Sequence, residues 1–224
     1  MCRNVQLINH YFPDWRIYIT LGLGVPEDII EALGSQRNIV FRKTGKEGGI
    51  NMHLRFFAFD EADVDVMVVR DADSRVHARD RWCIERWLSS DRRAMITRDH
   101  MNHNNNILGG LWGIRKGCFE EGITIAYLYR NVMKILMSAD YTFEYGDDQN
   151  ILSEGMYPLL VEKAVIFTDI PERVYEGEYT EKIGVPVVSE NFCGQVVEFN
   201  EEGKEVNTVK YIYMINGQAH ECVD

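Results

Sequence analysis

The sequence predicts a single α/β domain: a mostly parallel central sheet with helices on both faces. Three observations predict it. Short apolar runs rich in β-branched residues recur at 16–21, 38–43, 64–69, 94–97 and 163–168, and runs of this kind are buried strands rather than helices. Stretches of helical period stand between them, and strands alternating with helices favour a parallel sheet. The 224 residues are enough for one sizeable core.

The elements follow in order. Residues 3–12 read as a helix with Val5, Leu7, Ile8 and Phe12 on its apolar side, broken by Pro13-Asp14. A strand over 16–21 leads into Gly22-x-Gly24. That pair is a poor phosphate loop, because the next helix opens with Pro26-Glu27-Asp28 and an acidic first turn repels phosphate. The helix 26–34 closes at Gly34. A strand over 38–43 and a glycine-containing loop over 45–49 come next. Residues 50–61 form a helix carrying Met52, Leu54, Phe56, Phe57 and Phe59, with Arg55 among them as a snorkelling surface arginine or a ligand-binding one.

The run Val64 to Val69 is the central strand, and it ends in Arg70-Asp71-Ala72-Asp73-Ser74. An amphipathic helix spans 78–89, and a short strand 94–97 leads into a polar loop. A strand over 107–114 is entered through Gly109-Gly110. A long helix covers 119–138, and a further helix over 148–154 has Asp147 as its N-cap. A last buried strand ends near Thr168. Residues 185–215 alternate around Glu201-Glu202-Gly203-Lys204, which suggests a β-hairpin over the sheet edge. The whole chain reads as one domain, with its core over about 3–170 and a β-rich extension over 171–224.

Composition excludes several classes. The net charge of −11 leaves no basic face for nucleic acid. No apolar run approaches the length of a membrane span, and the N-terminus lacks a signal-peptide pattern. Five scattered cysteines without a Cys-x-x-Cys pair read as free thiols, so the expectation is a cytoplasmic protein.

Asp71 and Asp73 sit where the central strand leaves the sheet, and ligands bind at the carboxyl ends of strands in open α/β sheets. Two carboxylates held close repel, and a hard cation relieves that repulsion. Mg²⁺ is typically held by one or two carboxylates together with substrate phosphates. Asp-x-Asp also occurs as a simple turn. Arg98-Asp99-His100-Met101-Asn102-His103 offers two histidines and an aspartate but no fourth zinc ligand, and reads better as a polar loop facing a ligand. Gly109-Gly110 allows close backbone approach to a ligand, or marks a bulge. Capping accounts for one of Asp147 and Asp148 but not for both beside Gln149.

Taken together, Asp71-Ala72-Asp73, Ile107-Leu-Gly-Gly-Leu-Trp-Gly113 and Asp148-Gln149 resemble nucleotide-sugar-dependent glycosyltransferases of the GT-A type. More narrowly, Phe12-Pro-Asp-Trp15, Val68-Val-Arg-Asp-Ala-Asp-Ser-Arg75 and Arg98-Asp-His100 resemble small transferases of bacterial surface polysaccharides and of large DNA viruses that glycosylate their capsids. The similarity covers about residues 3–170.

The resemblance implies Mn²⁺ or Mg²⁺ on Asp71 and Asp73, together with the diphosphate of a nucleoside-diphosphate sugar, a UDP-sugar being favoured. Arg70 and Ser74 would flank that site. Gly109 and Gly110 would shape the sugar pocket. Asp148 with Gln149 would face the reacting sugar or a glycan acceptor. In an inverting enzyme Asp148 or Asp99 would serve as base; a retaining enzyme needs instead a group on the opposite face of the sugar, and both courses stay open. The family's opening strand, which helps hold the nucleotide base, is shortened or absent in this sequence, and a late third metal ligand is not evident. Two other readings stay open: a non-catalytic module on the same fold, and an Asp-x-Asp phosphatase.

Overall fold

A computed structural model describes residues 2–136, 144, 146–187, 191–202, 204–207, 212–215 and 218–221. Helix α1 (Cys2–Tyr11) precedes β1 (Ile17–Leu21), α2 (Glu27–Gly34) and β2 (Ile39–Lys43). Then come α3 (Ile50–Leu54), β3 (Val66–Val69), α4 (Ala78–Leu88), β4 (Ala94–Thr97) and β5 (Trp112–Arg115). The chain continues through α5 (Ile125–Leu136), α6 (Asp147–Ile151), α7 (Tyr157–Leu160), β6 (Ala164–Phe167) and β7 (Thr180–Glu181).

The main sheet has five strands in the order β3-β5-β4-β6-β7, and β1 pairs with β2 as a separate parallel ribbon. Strands β4, β6 and β7 are parallel, whereas β5 runs antiparallel to both β3 and β4. The sheet is therefore mixed, not mostly parallel. The reason lies in residues 98–111, which contain no helix. Parallel neighbours need a crossover connection, usually a helix, so a looping return delivers β5 in the opposite sense.

Alternation along the strands sorts the core into two layers. Met67, Val69, Ile96, Ile114 and Ile166 pack on one side with Phe56, Ile125, Tyr129 and Ile151. Val66, Val68, Met95, Val165 and Phe167 pack on the other with Phe12, Ile84 and Trp87. Helices thus cover both faces: α5 and α6 on the first, α1 and α4 on the second. A third cluster joins Val5 of α1 to Ile19, Leu21 and Leu33.

Several expected elements are shorter. The helix over 50–61 becomes α3 followed by a 3₁₀ turn, Arg55–Asp60. The helix expected from 119 begins at Ile125, because Asp60 accepts the Ile125 and Ala126 N–H groups at 2.6 and 2.8 Å and supplies the cap from elsewhere in the chain. Residues 137 and 138 lie outside the described residues. The strand expected over 107–114 starts only at Trp112, since Leu111 N–H turns back to the Leu108 carbonyl at 3.1 Å. Gly146 (φ 92°), not Asp147, caps α6, and Leu152–Met156 continues as a π-helical turn. The C-terminal part holds two antiparallel ribbons, β8 (Val197–Phe199) with β9 (Glu205–Asn207) and β10 (Ile212–Ile215) with β11 (Gln218–Glu221). The first hangs from the loop after β3, where Val197 N–H donates to the Asp73 carbonyl at 3.3 Å.

Candidate functional site

Residues 70–75 leave β3 in a loop whose shape is held from three sides. Arg70 turns back into the fold and donates to Asp80 at 2.6 Å and to the Arg75 carbonyl at 3.0 Å. Buried Ser74 donates to the Asp71 carbonyl at 3.4 Å. Asn4 of α1 donates to the Ala72 and Ser74 carbonyls at 2.7 and 2.8 Å. Arg70 and Ser74 therefore position the loop. Asn4 was not legible in the sequence: a lone asparagine in a helix carries no signal, and its partners lie about seventy positions away.

With the loop held this way, Asp71 is half-buried and Asp73 is exposed. The Arg55 guanidinium bridges two carboxylates, reaching Asp71 through Nη1 and Asp148 Oδ2 through Nη2 at 2.9 Å. The glycine pair lies against the same cluster. A Cβ on Gly109 would meet Arg55 Nη2 at 2.6 Å and Asp148 Oδ2 at 3.1 Å, and one on Gly110 would overlap the Asp71 carboxylate. Only residues without side chains let the chain pass this close. Gln149 accepts from Gly109 N–H at 3.1 Å and donates to the Ile107 carbonyl, so both ends of its amide hold the glycine turn.

Arg55, Asp71, Gly109, Gly110, Asp148 and Gln149 thus converge from four stretches of chain. Beneath them, His53 Nδ1 is bonded to the Tyr129 hydroxyl. Burial pushes Tyr129 well above the usual phenol range, with the Asp148 charge adding to it, and burial lowers His53. Tyr129 reads in the sequence as one more apolar position of α5, so its place under Asp148 carried no signal.

Asp99 does not join this cluster. It is fully buried, ion-paired with Arg79 through Nε at 2.8 Å, and accepts Cys193 N–H at 2.8 Å. Burial pushes its carboxyl above the ordinary value, against the pull of Arg79. A raised carboxyl is the mark of a base, but its oxygens are engaged and no face is open to a substrate, so Asp99 is structural. In the loop after Arg98, Asp99, His100 and His103 face inward, whereas Asn102, Asn104 and Asn105 are exposed. His103 Nδ1 accepts Asp99 N–H at 2.9 Å, and His100 stacks on Phe192 with ring centroids 4.4 Å apart. Burial drives His103 down to about 3.

Among the described residues, no group of three or more His, Cys, Asp or Glu is placed to hold a metal. Two carboxylates can hold a hard cation where phosphate and water complete its shell; of this pair, Asp71 is bound to Arg55 and Asp73 is exposed. Cys2, Cys83, Cys118 and Cys193 are free thiols, and Cys222 lies outside the described residues. No helix among the described residues is long and apolar enough to cross a membrane. Comparison with protein-family models, curated proteins and solved structures gives no match.

Proposed function

We propose that the chain is a GT-A-like glycosyltransferase. It moves a hexose or deoxyhexose from a nucleoside-diphosphate sugar, with UDP-sugars favoured, to a glycan acceptor. The meeting of Arg55, Asp71, the glycine pair and Asp148 at the carboxyl end of β3 carries this reading. Asp71 and Asp73 would hold Mn²⁺ or Mg²⁺, whose charge offsets that developing on a departing diphosphate. Arg55 adds a fixed positive charge beside them and sets the separation of Asp71 from Asp148. Gly109 and Gly110 let the Arg55 guanidinium and the Asp71 carboxylate close against the backbone, and so shape the wall of the sugar pocket. Asp148 is the carboxylate that takes the proton of an acceptor hydroxyl. Gln149 acts through the glycine turn and is a positioning residue.

A second reading, a non-catalytic module of the same architecture, draws on the Arg55–Asp71 ion pair, which already neutralises one expected metal ligand. Thermal melts with UDP, GDP and their sugar conjugates, each in Mn²⁺ and in EDTA, separate the two. A Mn²⁺-dependent shift that Asp73→Ala abolishes, together with sugar transfer or donor hydrolysis, supports the enzyme. A shift without turnover, or no shift with any nucleotide, supports the module and removes the transferase reading.

A further inference from the structure

A cavity of about 700 Å³ separates β1 from β3. Strand edges form its walls. Residues 16–20 line it without a break on one side and residues 63–72 on the other. Successive residues of a strand point to opposite faces, so a cavity lying on a face would touch every second one. Among the described residues, strand β1 pairs only with β2 and β3 only with β5, and no residue of β2 or β5 lines the cavity. The unpaired backbone edges of β1 and β3 therefore look at each other across it.

The two edges run in the same sense. Arg16, just before β1, donates to the carboxylate and the carbonyl of Asp63, just before β3, at 2.5 and 2.8 Å. Thr20 and Asp71 line the opposite end. Both faces of the gap are roofed. Val5 and Ile8 of α1 with Phe12 just after it cover one face and Ala58 the other, in line with the core layers to which Phe12 and Ala58 belong. Every strand among the described residues is already paired elsewhere, so none of them fills the gap.

We propose that this cavity seats one extended polypeptide strand. It is apolar on both faces, about the five residues of β1 in length, and is donated by a partner polypeptide. Neighbouring strands lie about 4.8 Å apart, so one inserted strand needs flanking strands about 9.5 Å apart. Its backbone would satisfy two rows of N–H and C=O groups at once. A small apolar ligand would cover the walls and leave those groups unpaired. At the Arg16 end Asp14 adds a carboxylate to the Arg16–Asp63 and Lys116–Asp65 ion pairs, which favours a basic residue flanking the inserted strand. Insertion joins the β1–β2 ribbon to the main sheet and brings one end of the guest beside Asp71. Such a strand could bind whether or not the chain transfers sugars.

Hydrogen exchange on the full chain tests it. The probe is the capped peptide Lys-Val-Ile-Val-Ile-Val-Lys, and its partner control is the same peptide N-methylated at both isoleucines. The control keeps every side chain but loses backbone donors. With probe at about ten times its Kd, exchange of those amides of 17–21 and 66–69 that are not bonded to β2 or β5 should slow roughly tenfold, and the control should protect nothing. Equal protection by both peptides would make the cavity a generic apolar site and overturn the proposal. So would no protection by either, or protection in the free chain of the amides that face the cavity.

Discussion

Replacing Arg55 with methionine keeps an unbranched side chain and removes the bridge between Asp71 and Asp148. The two halves of that bridge are not equivalent. The Asp71 side chain is 45% exposed, that of Asp148 9%, and that of Arg55 21%. An exposed ion pair contributes up to about 1 kcal/mol, and solvent screening puts the Asp71 half at about 0.5. Breaking a buried pair costs about 3–5 kcal/mol, and the partial exposure of Arg55 brings the Asp148 half to about 2. The expected loss is therefore about 2–3 kcal/mol, or roughly 5–10 °C in Tm for a chain of this length.

Denaturant unfolding in EDTA is the assay, with Arg55→Met, Asp148→Asn, Asp71→Asn and both double variants forming two thermodynamic cycles. The Arg55–Asp148 coupling should exceed the Arg55–Asp71 coupling several-fold, although Arg55 reaches both carboxylates. Equal couplings, or a larger one to Asp71, would refute the argument from burial. Under the transferase reading, Mn²⁺ should restore part of the stability of Arg55→Met, because it replaces a lost positive charge between carboxylates.

Gly110→Ala places a Cβ against the Asp71 carboxylate and 2.9 Å from its backbone nitrogen, and a melt followed by circular dichroism should show a loss of about 1–3 kcal/mol. Asp99→Asn breaks a buried pair and should cost about 3 kcal/mol in denaturant unfolding; an unchanged midpoint would return Asp99 to the candidate bases. Asp148→Asn should lower kcat about a hundredfold while donor Kd holds, and an equal loss in both would move Asp148 from chemistry to binding. His103 titrates at about 3 when folded, against the ordinary histidine value of 6.5. The unfolded chain binds the extra proton in that window, so stability is full above pH 6.5 and falls as pH drops towards 3. One group in this range contributes about 1.4 kcal/mol per pH unit, and unfolding midpoints measured between about pH 7 and pH 5 should decline accordingly.

The strand ends were legible where a physical reason acted locally. Val66 to Val69 is apolar and β-branched, and its abrupt end at Arg70-Asp71 located the loop that carries the candidate site. Gly109-Gly110 signalled a close approach, and the Asp71 carboxylate is what approaches. Arg55 was ambiguous between surface and ligand because helical period alone cannot say which neighbour a long side chain reaches. Asp99 beside two histidines looked like an outward polar loop, and its burial depends on Arg79, Cys193 and Phe192, all remote in sequence.

By itself the sequence determined the α/β class, the positions of the main apolar strands and the carboxylates at the end of β3. Periodicity and β-branched runs are local properties and need no knowledge of partners. Tertiary structure alone decided that β5 runs antiparallel, that Asp99 is closed off by Arg79, and that Arg55 joins Asp71 to Asp148. It also decided that a cavity lined by β1 and β3 stands between the ribbon and the main sheet. Each of these depends on which edges and charges meet across long stretches of chain, and pairing at that range leaves no trace in local pattern.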